Sequence, residues 1–208
     1  MWSRMALKAV QDYSSQLVAT AAIYNLLASS LTGDREKLMA TMTSLRKLFD
    51  TLSMAAELEM VDEIIKVLDE DERATSEFVR LFEMGAAPPC ETSYTCRLNQ
   101  ELKTFELADI AGFYKAFNLK PAYGTPDHIG AEMEFMAYLL IREVLAGSAG
   151  QDDAVAVCRD AREKFYREHL SVWVGDMARQ VEENAEKPLY KHLARLLSKV
   201  IAEGVPIR

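Results

Sequence analysis

"GTPDHIGAEMEFMAYLL", residues 124–140, decides the fold. Gly124 to Pro126 read as a turn, and from Phe135 the chain runs "FMAYLLI" through Ile141 without a polar residue. A helix that is apolar around most of its circumference is one that other helices cover on most sides. The pattern predicts a helix from Pro126 to about Ala146, roughly 31 Å long. Thr125 would cap it, Pro126 would sit in its first turn, and Asp127 would lie where the helix dipole favours negative charge. One face would carry Asp127, Gly130, Glu134, Tyr138 and Ile141. The other would carry His128, Glu132, Met136, Leu139 and Glu143. Glu132 and Glu134 are separated by roughly 200° around the axis, too far apart to work as a carboxylate pair. At least one of the two should be partly buried, which requires a hydrogen-bonding partner such as an arginine or a backbone amide.

The same helical period extends outward in both directions. Leu17, Ala21, Tyr24, Ala28 and Leu31 form one face, with Gly33 placed to end that helix and Asp34 to cap the next. Leu38, Met42, Leu45, Phe49 and Leu52 repeat the spacing, and Val61, Ile64, Ile65 and Leu68 continue it after a break expected near Ser53. Thr75 and Ser76 are cap candidates for a helix that turns Phe78, Leu81 and Phe82 inward and ends at Gly85. Residues 85–97, "GAAPPCETSYTCR", read as a loop, because adjacent prolines exclude helix. Leu107, Ile110, Ala111, Tyr114 and Phe117 make a further face. Asn118 suits a left-handed stop there, and Pro121 blocks continuation. Residues 152–184 read as helix interrupted near Ser171. Pro188 opens a last helix that Gly204 and Pro206 close. Nothing alternates with period two or repeats at fixed length. The expected fold is therefore all-α: a single globular domain over 1–208, of about eight to ten helices, with hinge candidates at 86–90 and 120–126.

Composition narrows the function. Half of the 208 residues are hydrophobic and the net charge is −8, an excess that disfavours nucleic acid and anionic membranes and suits a basic peptide. No apolar run reaches membrane-spanning length, and the N-terminus has no secretory core, so a cytoplasmic location is expected. Cys90, Cys96 and Cys158 are too few for a disulfide framework, and five residues separate the first two, so they read as ordinary thiols. His128 and Glu132 could share a metal, but neither Glu-x-x-His nor His-Glu-x-x-His is present. His169 reads as a core or helix-end histidine, and His192 as part of a packing surface. Glycine-rich nucleotide loops and nucleophile elbows are absent. The sequence therefore offers no catalytic residue, metal ligand set or cofactor. Of the ten methionines, Met133 and Met136 fall at core spacing, although methionine also suits adaptable peptide-binding surfaces.

An ordered set of short motifs adds to this. "IYNLLASSL", "FVRLFEMGAAPPCETSY", "LADIAGFYKAFNLKP", "PDHIGAEMEFMAYL" and "FYREHLSVWV" follow one another from about Tyr24 to Trp173. Together they resemble the TorD/DmsD/NarJ family of molybdoenzyme-assembly chaperones. Two departures stand out. Well-known members have Glu-Pro-x-Asp-His where this chain has Gly124, Thr125, Pro126, Asp127 and His128. Ser171 occupies a position where many relatives have proline.

The resemblance implies a non-enzymatic cytoplasmic protein without a cofactor, working as monomer or homodimer. It would hold the catalytic subunit of a molybdenum oxidoreductase, often through a twin-arginine leader, while molybdopterin is inserted and export is delayed. Such a leader calls for an apolar groove rimmed by carboxylates. The expected groove runs along Leu81, Phe82, Pro88, Pro89, Glu91 and Tyr94 to meet Asp127, His128, Glu132 and Glu134. A general helical peptide-binding adaptor or regulator is the alternative, followed by a metal-dependent helical enzyme.

Overall fold

A computed structural model describes residues 2–96, 99–121 and 123–203, with side chains from residue 11 onward. The described residues form nine α-helices and no named strand: α1 (Trp2–Ala28), α2 (Arg35–Thr51), α3 (Ala55–Glu70), α4 (Thr92–Thr95), α5 (Gln100–Ala116), α6 (Ile129–Ser148), α7 (Asp152–Phe165), α8 (Ser171–Asn184) and α9 (Pro188–Glu203). Two five-residue π-helical segments, Val79–Glu83 and Tyr166–Leu170, complete the order. The all-α expectation holds, as does its range of helix number.

The central helix is α6. Twelve of its twenty residues are buried, and it packs against α1 on one side and α7 on another. On one of the two faces Glu132, Met136, Leu139 and Glu143 are buried and His128 half-buried; on the other Asp127 and Gly130 are buried too, Glu134 and Tyr138 are half-buried, and Ile141 reaches solvent. The α2–α3 hairpin leans on α9, which pairs with α8. One connected apolar core joins these layers, from Leu17 in α1 to Ile201 in α9. None of the described helices is long and apolar enough to cross a membrane.

Most punctuation signals act as read. Asp34 caps α2, accepting the Lys37 N–H at 3.0 Å. Asn118 has φ 58° and stops α5. Pro188 opens α9. The break near Ser53 falls between α2 and α3, with Ser53 itself at φ 57°. A left-handed conformation costs a non-glycine residue roughly 1–2 kcal/mol, and glycine is free of that cost. Ser53→Gly should therefore stabilise the protein by about 0.5–1 kcal/mol, seen as a higher midpoint in thermal unfolding.

Other expectations need correction. α1 ends at Ala28, not near Gly33, because Ser29 and Ser30 turn their hydroxyls back onto carbonyls of its last turn. Gly33 instead lies against Phe78, whose ring and Cβ atoms would stand 3.2–3.3 Å from any added Cβ. Thr75 and Ser76 cap nothing, since the segment after them is a single π turn without a side-chain cap. Glu77 does the capping in this region, accepting the N–H groups of Glu186 and Lys187 at 2.9 and 3.0 Å ahead of α9. The 85–97 loop contains the one-turn helix α4 just past its prolines. α6 starts at Ile129, three residues after Pro126. The interruption expected near Ser171 is the π segment that precedes it. Gly204 and Pro206 lie outside the described residues.

Candidate functional site

The proline loop and the start of α6 are fastened together. Glu91 N–H donates to the Asp127 carbonyl and Ile129 N–H to the Pro89 carbonyl, both at 2.9 Å. Cys90 and His128 thus form an antiparallel bridge. Proline has no N–H, and in this arrangement Pro88 and Pro89 need only accept: Tyr94 OH donates to the Pro88 carbonyl at 2.9 Å. Asp127 turns its carboxylate away from α6 and into the loop. Its Oδ2 accepts the Thr92 hydroxyl at 2.6 Å and the Thr92 N–H at 3.2 Å, at the N-terminal end of α4. With Asp127 engaged there, the capping of α6 passes to His128, whose Nδ1 accepts the Gly130 N–H at 3.0 Å. Burial holds the His128 imidazole below its usual pKa, which keeps that nitrogen free to accept. Burial, reinforced by the charge of Asp127, pushes the Cys90 thiol to about 11, so it stays protonated.

Tyr123 closes over this junction. Its ring stacks on His128 at 4.6 Å, and its hydroxyl donates to Glu134 Oε1 at 3.0 Å. The close approach depends on Gly130, where a Cβ would lie 2.7 Å from Tyr123 Cζ. Burial first, then the bond to Glu134, raises the Tyr123 phenol from 10.0 to about 12. A raised phenol stabilises the fold below its unfolded pKa and loses that contribution as pH rises from 10 towards 12. Gly130→Ala should push Tyr123 off, cost about 1–2 kcal/mol, and bring the Tyr123 midpoint back towards 10.0. Ring-selective NMR titration reads this directly.

Beneath the junction lies a buried polar cluster. Glu132 and Glu91 are fully buried, and His169 and Trp173 nearly so. Trp173 Nε1–H donates to Glu132 Oε2 at 3.1 Å, and its ring stacks on Tyr94 at 5.5 Å. Glu91 Oε1 lies 3.3 Å from His169 Nδ1, while His169 Nε2 lies 3.2 Å from Asp109 Oδ2 of α5. Burial, then the neighbouring Glu91 carboxylate, holds the Glu132 carboxyl well above the usual range. Glu106 is raised by burial and by its contact with Glu91. Burial alone would lower His169, but Glu91, Asp109 and Glu106 outweigh it and raise the imidazole.

Beside the junction is a cleft of about 220 Å³, lined by Tyr114, Leu119, Lys120, Pro121, Ala131, Glu134, Phe135 and Tyr138. It is mainly apolar, with the Glu134 carboxylate on its wall. Leu119, Lys120 and Pro121 form part of its wall, where the 120–126 segment begins.

The ten residues expected to line one groove divide into three groups. Pro88, Pro89, Tyr94, His128 and Glu134 are half-buried around the junction. Glu91, Asp127 and Glu132 reach the same place but are buried beneath it. Leu81 and Phe82 are not part of it: both are buried in the core, where Phe82 packs edge-on against Tyr190 at 5.3 Å. Sequence reasoning missed Glu106, Asp109, His169 and Trp173. The available signal was "HLSVW", in which His169 and Trp173 stand four residues apart and meet Glu91 and Glu132 respectively. The partner of Glu132 is this indole, not an arginine.

With the geometry in place, comparison with known proteins identifies the class. The nitrate reductase delta subunit family matches residues 41–179, and the chain belongs to that family, the NarJ/TorD type anticipated from its motifs. Among curated proteins it is similar to the selenate reductase assembly chaperone protein of Thauera selenatis, 30% identical over 115 residues. It is also similar to the chlorate reductase assembly chaperone protein of Ideonella dechloratans, 28% identical over 115 residues. Each alignment covers 53% of this chain and 58% of the relative. No solved structure matches the chain.

Proposed function

We propose that this protein is a cytoplasmic assembly chaperone for the catalytic subunit of a molybdenum oxidoreductase, and that it acts by binding, not by covalent chemistry. It grips the client's leader or apoenzyme, keeps it competent for molybdopterin insertion and delays export. The observation that carries this reading is that the family-matched residues, 41–179, contain the whole loop–helix junction and the cleft beside it. An apolar cleft with Glu134 on its wall suits an apolar peptide segment next to arginine, whose guanidinium forms charge-assisted bonds to carboxylates. The net charge of −8 favours encounter with a basic leader.

Asp127 and Glu132 serve this surface from below, by fixing the loop and α6, whereas Pro88, Pro89, Tyr94, His128 and Glu134 face the client. Calorimetric titration with the leader peptide of the molybdoenzyme encoded nearest to the gene tests the reading. Binding at micromolar or tighter affinity is expected, lost when the arginine pair is replaced by alanines and weakened at least tenfold in Glu134→Gln. Equal binding of both peptides would remove the arginine-reading role, and binding unaffected by Glu134→Gln would remove the cleft.

A further inference from the structure

The buried cluster under the junction has a property that peptide binding does not use. Glu91, Glu106 and His169 each offer a ligand atom, and these atoms lie within 4.8 Å of one another. Glu91 Oε2 is fully buried and receives no nitrogen or hydroxyl donor, and neither does the buried Glu132 Oε1; the groups that reach Glu91 there are the carboxyls of Glu106 and Glu132. Among the described residues no lysine or arginine pairs with Glu91, Glu106, Asp109 or Glu132, and His169 is the basic side chain that faces Glu91 and Asp109. A buried cluster of carboxyls with no lysine or arginine beside it is costly unless another cation faces it.

We propose that Glu91, Glu106 and His169 bind a divalent first-row transition-metal ion. His169 Nδ1 lies 3.3 Å from Glu91 Oε1. That is close to the edge of roughly 3.3 Å that a tetrahedral zinc-like ion imposes on ligands held at about 2.0–2.1 Å. His169 Nε2 faces Asp109, 3.2 Å away and off the line of a hydrogen bond. A small rotation completes the carboxylate–imidazole–metal arrangement that fixes a ligating ring. Glu106 is only half-buried, so it can close on the ion, and Asp109 marks the solvent side of the site. One imidazole with carboxylates, and no thiolate, selects zinc, manganese or cobalt over copper(I), and the imidazole disfavours magnesium and calcium. The site links three parts of the chain: the residue before α4, helix α5 and the π segment. Helix α5 carries exposed Leu102 and Phe105, so metal would tie it to the body of the fold. This proposal stands on the cluster's geometry and does not depend on the chaperone reading.

The test uses the full chain, stripped with chelator and titrated with cobalt(II), zinc or manganese by calorimetry, together with the visible spectrum of the cobalt form. Binding of one equivalent of cobalt is expected, with ligand-field absorbance and a higher melting temperature. Glu106→Gln, at a half-exposed position where folding is retained, should weaken binding at least tenfold. Asp109→Asn should weaken it by about tenfold through loss of ring orientation. His192→Gln, which alters a histidine paired with Glu63 elsewhere, should bind like the unmodified chain. A stripped chain with unchanged far-UV circular dichroism that binds none of the three ions stoichiometrically would overturn the proposal. So would binding that persists in Glu106→Gln and Asp109→Asn.

Discussion

Glu143→Ala should lower stability by roughly 3–5 kcal/mol, the cost of stranding a buried charge. The Glu143 side chain is 1% exposed and collects three partners from two other helices. Tyr13 of α1 donates its hydroxyl to Oε1 at 2.9 Å. Arg159 Nε donates to Oε1 at 3.0 Å and Arg162 Nε to Oε2 at 3.3 Å, both from α7. This carboxylate therefore joins α1 and α7 to the central helix. After truncation, Arg159, already 46% exposed, can turn to water, but Arg162, at 14%, cannot do so without opening the α6–α7 contact. The double variant Glu143→Leu/Arg162→Met should recover most of the loss, because replacing both buried charges removes the desolvation cost along with the attraction. Denaturant unfolding of the variants measures both effects. A single variant within 1 kcal/mol of the parent would show that solvent already screens the cluster.

Trp173→Ala should cost about 3–5 kcal/mol. The indole is 1% exposed and performs two tasks. Its ring fills the space under the proline loop, stacked on Tyr94, and its N–H is the donor to Glu132 Oε2. Trp173→Phe separates these roles. It keeps an aromatic ring on Tyr94 and removes the donor, at a cost of about 1–3 kcal/mol for the deprived carboxyl. Because Tyr94 also bonds the Pro88 carbonyl, Trp173→Ala should loosen the loop and weaken the proposed peptide binding more than Trp173→Phe does. Near-UV circular dichroism and peptide calorimetry on both variants distinguish packing from hydrogen bonding.

Local chemistry was readable in the chain wherever it is decided locally. The apolar period marked the core faces of α2 and α6. Asp34, Ser53, Asn118 and Pro188 acted where they stand, because a cap or a left-handed residue depends on its immediate neighbours. The start of α6 was misread for the opposite reason. Thr125-Pro126-Asp127 is a sound local start signal, but Thr92, thirty-five residues away, takes the Asp127 carboxylate and shifts the cap to His128. The prolines of the 85–97 loop hid α4 in the same way, since part of what starts that turn comes from Asp127.

The candidate site was half legible. The resemblance brought the proline loop to the Asp127–His128 pair, and the backbone bridge realises that pairing. Leu81 and Phe82 were carried along by adjacency in sequence, yet the π turn directs Phe82 to Tyr190. The contacts from Glu91 to His169 and from Glu132 to Trp173 span 78 and 41 residues. Helical spacing carries no information at such separations. His169 also sits in a π segment, where a wider turn alters which way a side chain points.

The most direct measurement is the molybdenum content of the proposed client, a molybdenum oxidoreductase's catalytic subunit, purified from cells that contain or lack this protein. Without the protein, bound molybdenum per polypeptide should fall severalfold. The unmodified chain should restore it and Glu134→Gln should not. Equal molybdenum content with and without the protein, at equal amounts of the catalytic subunit, would contradict the proposed role in cofactor assembly.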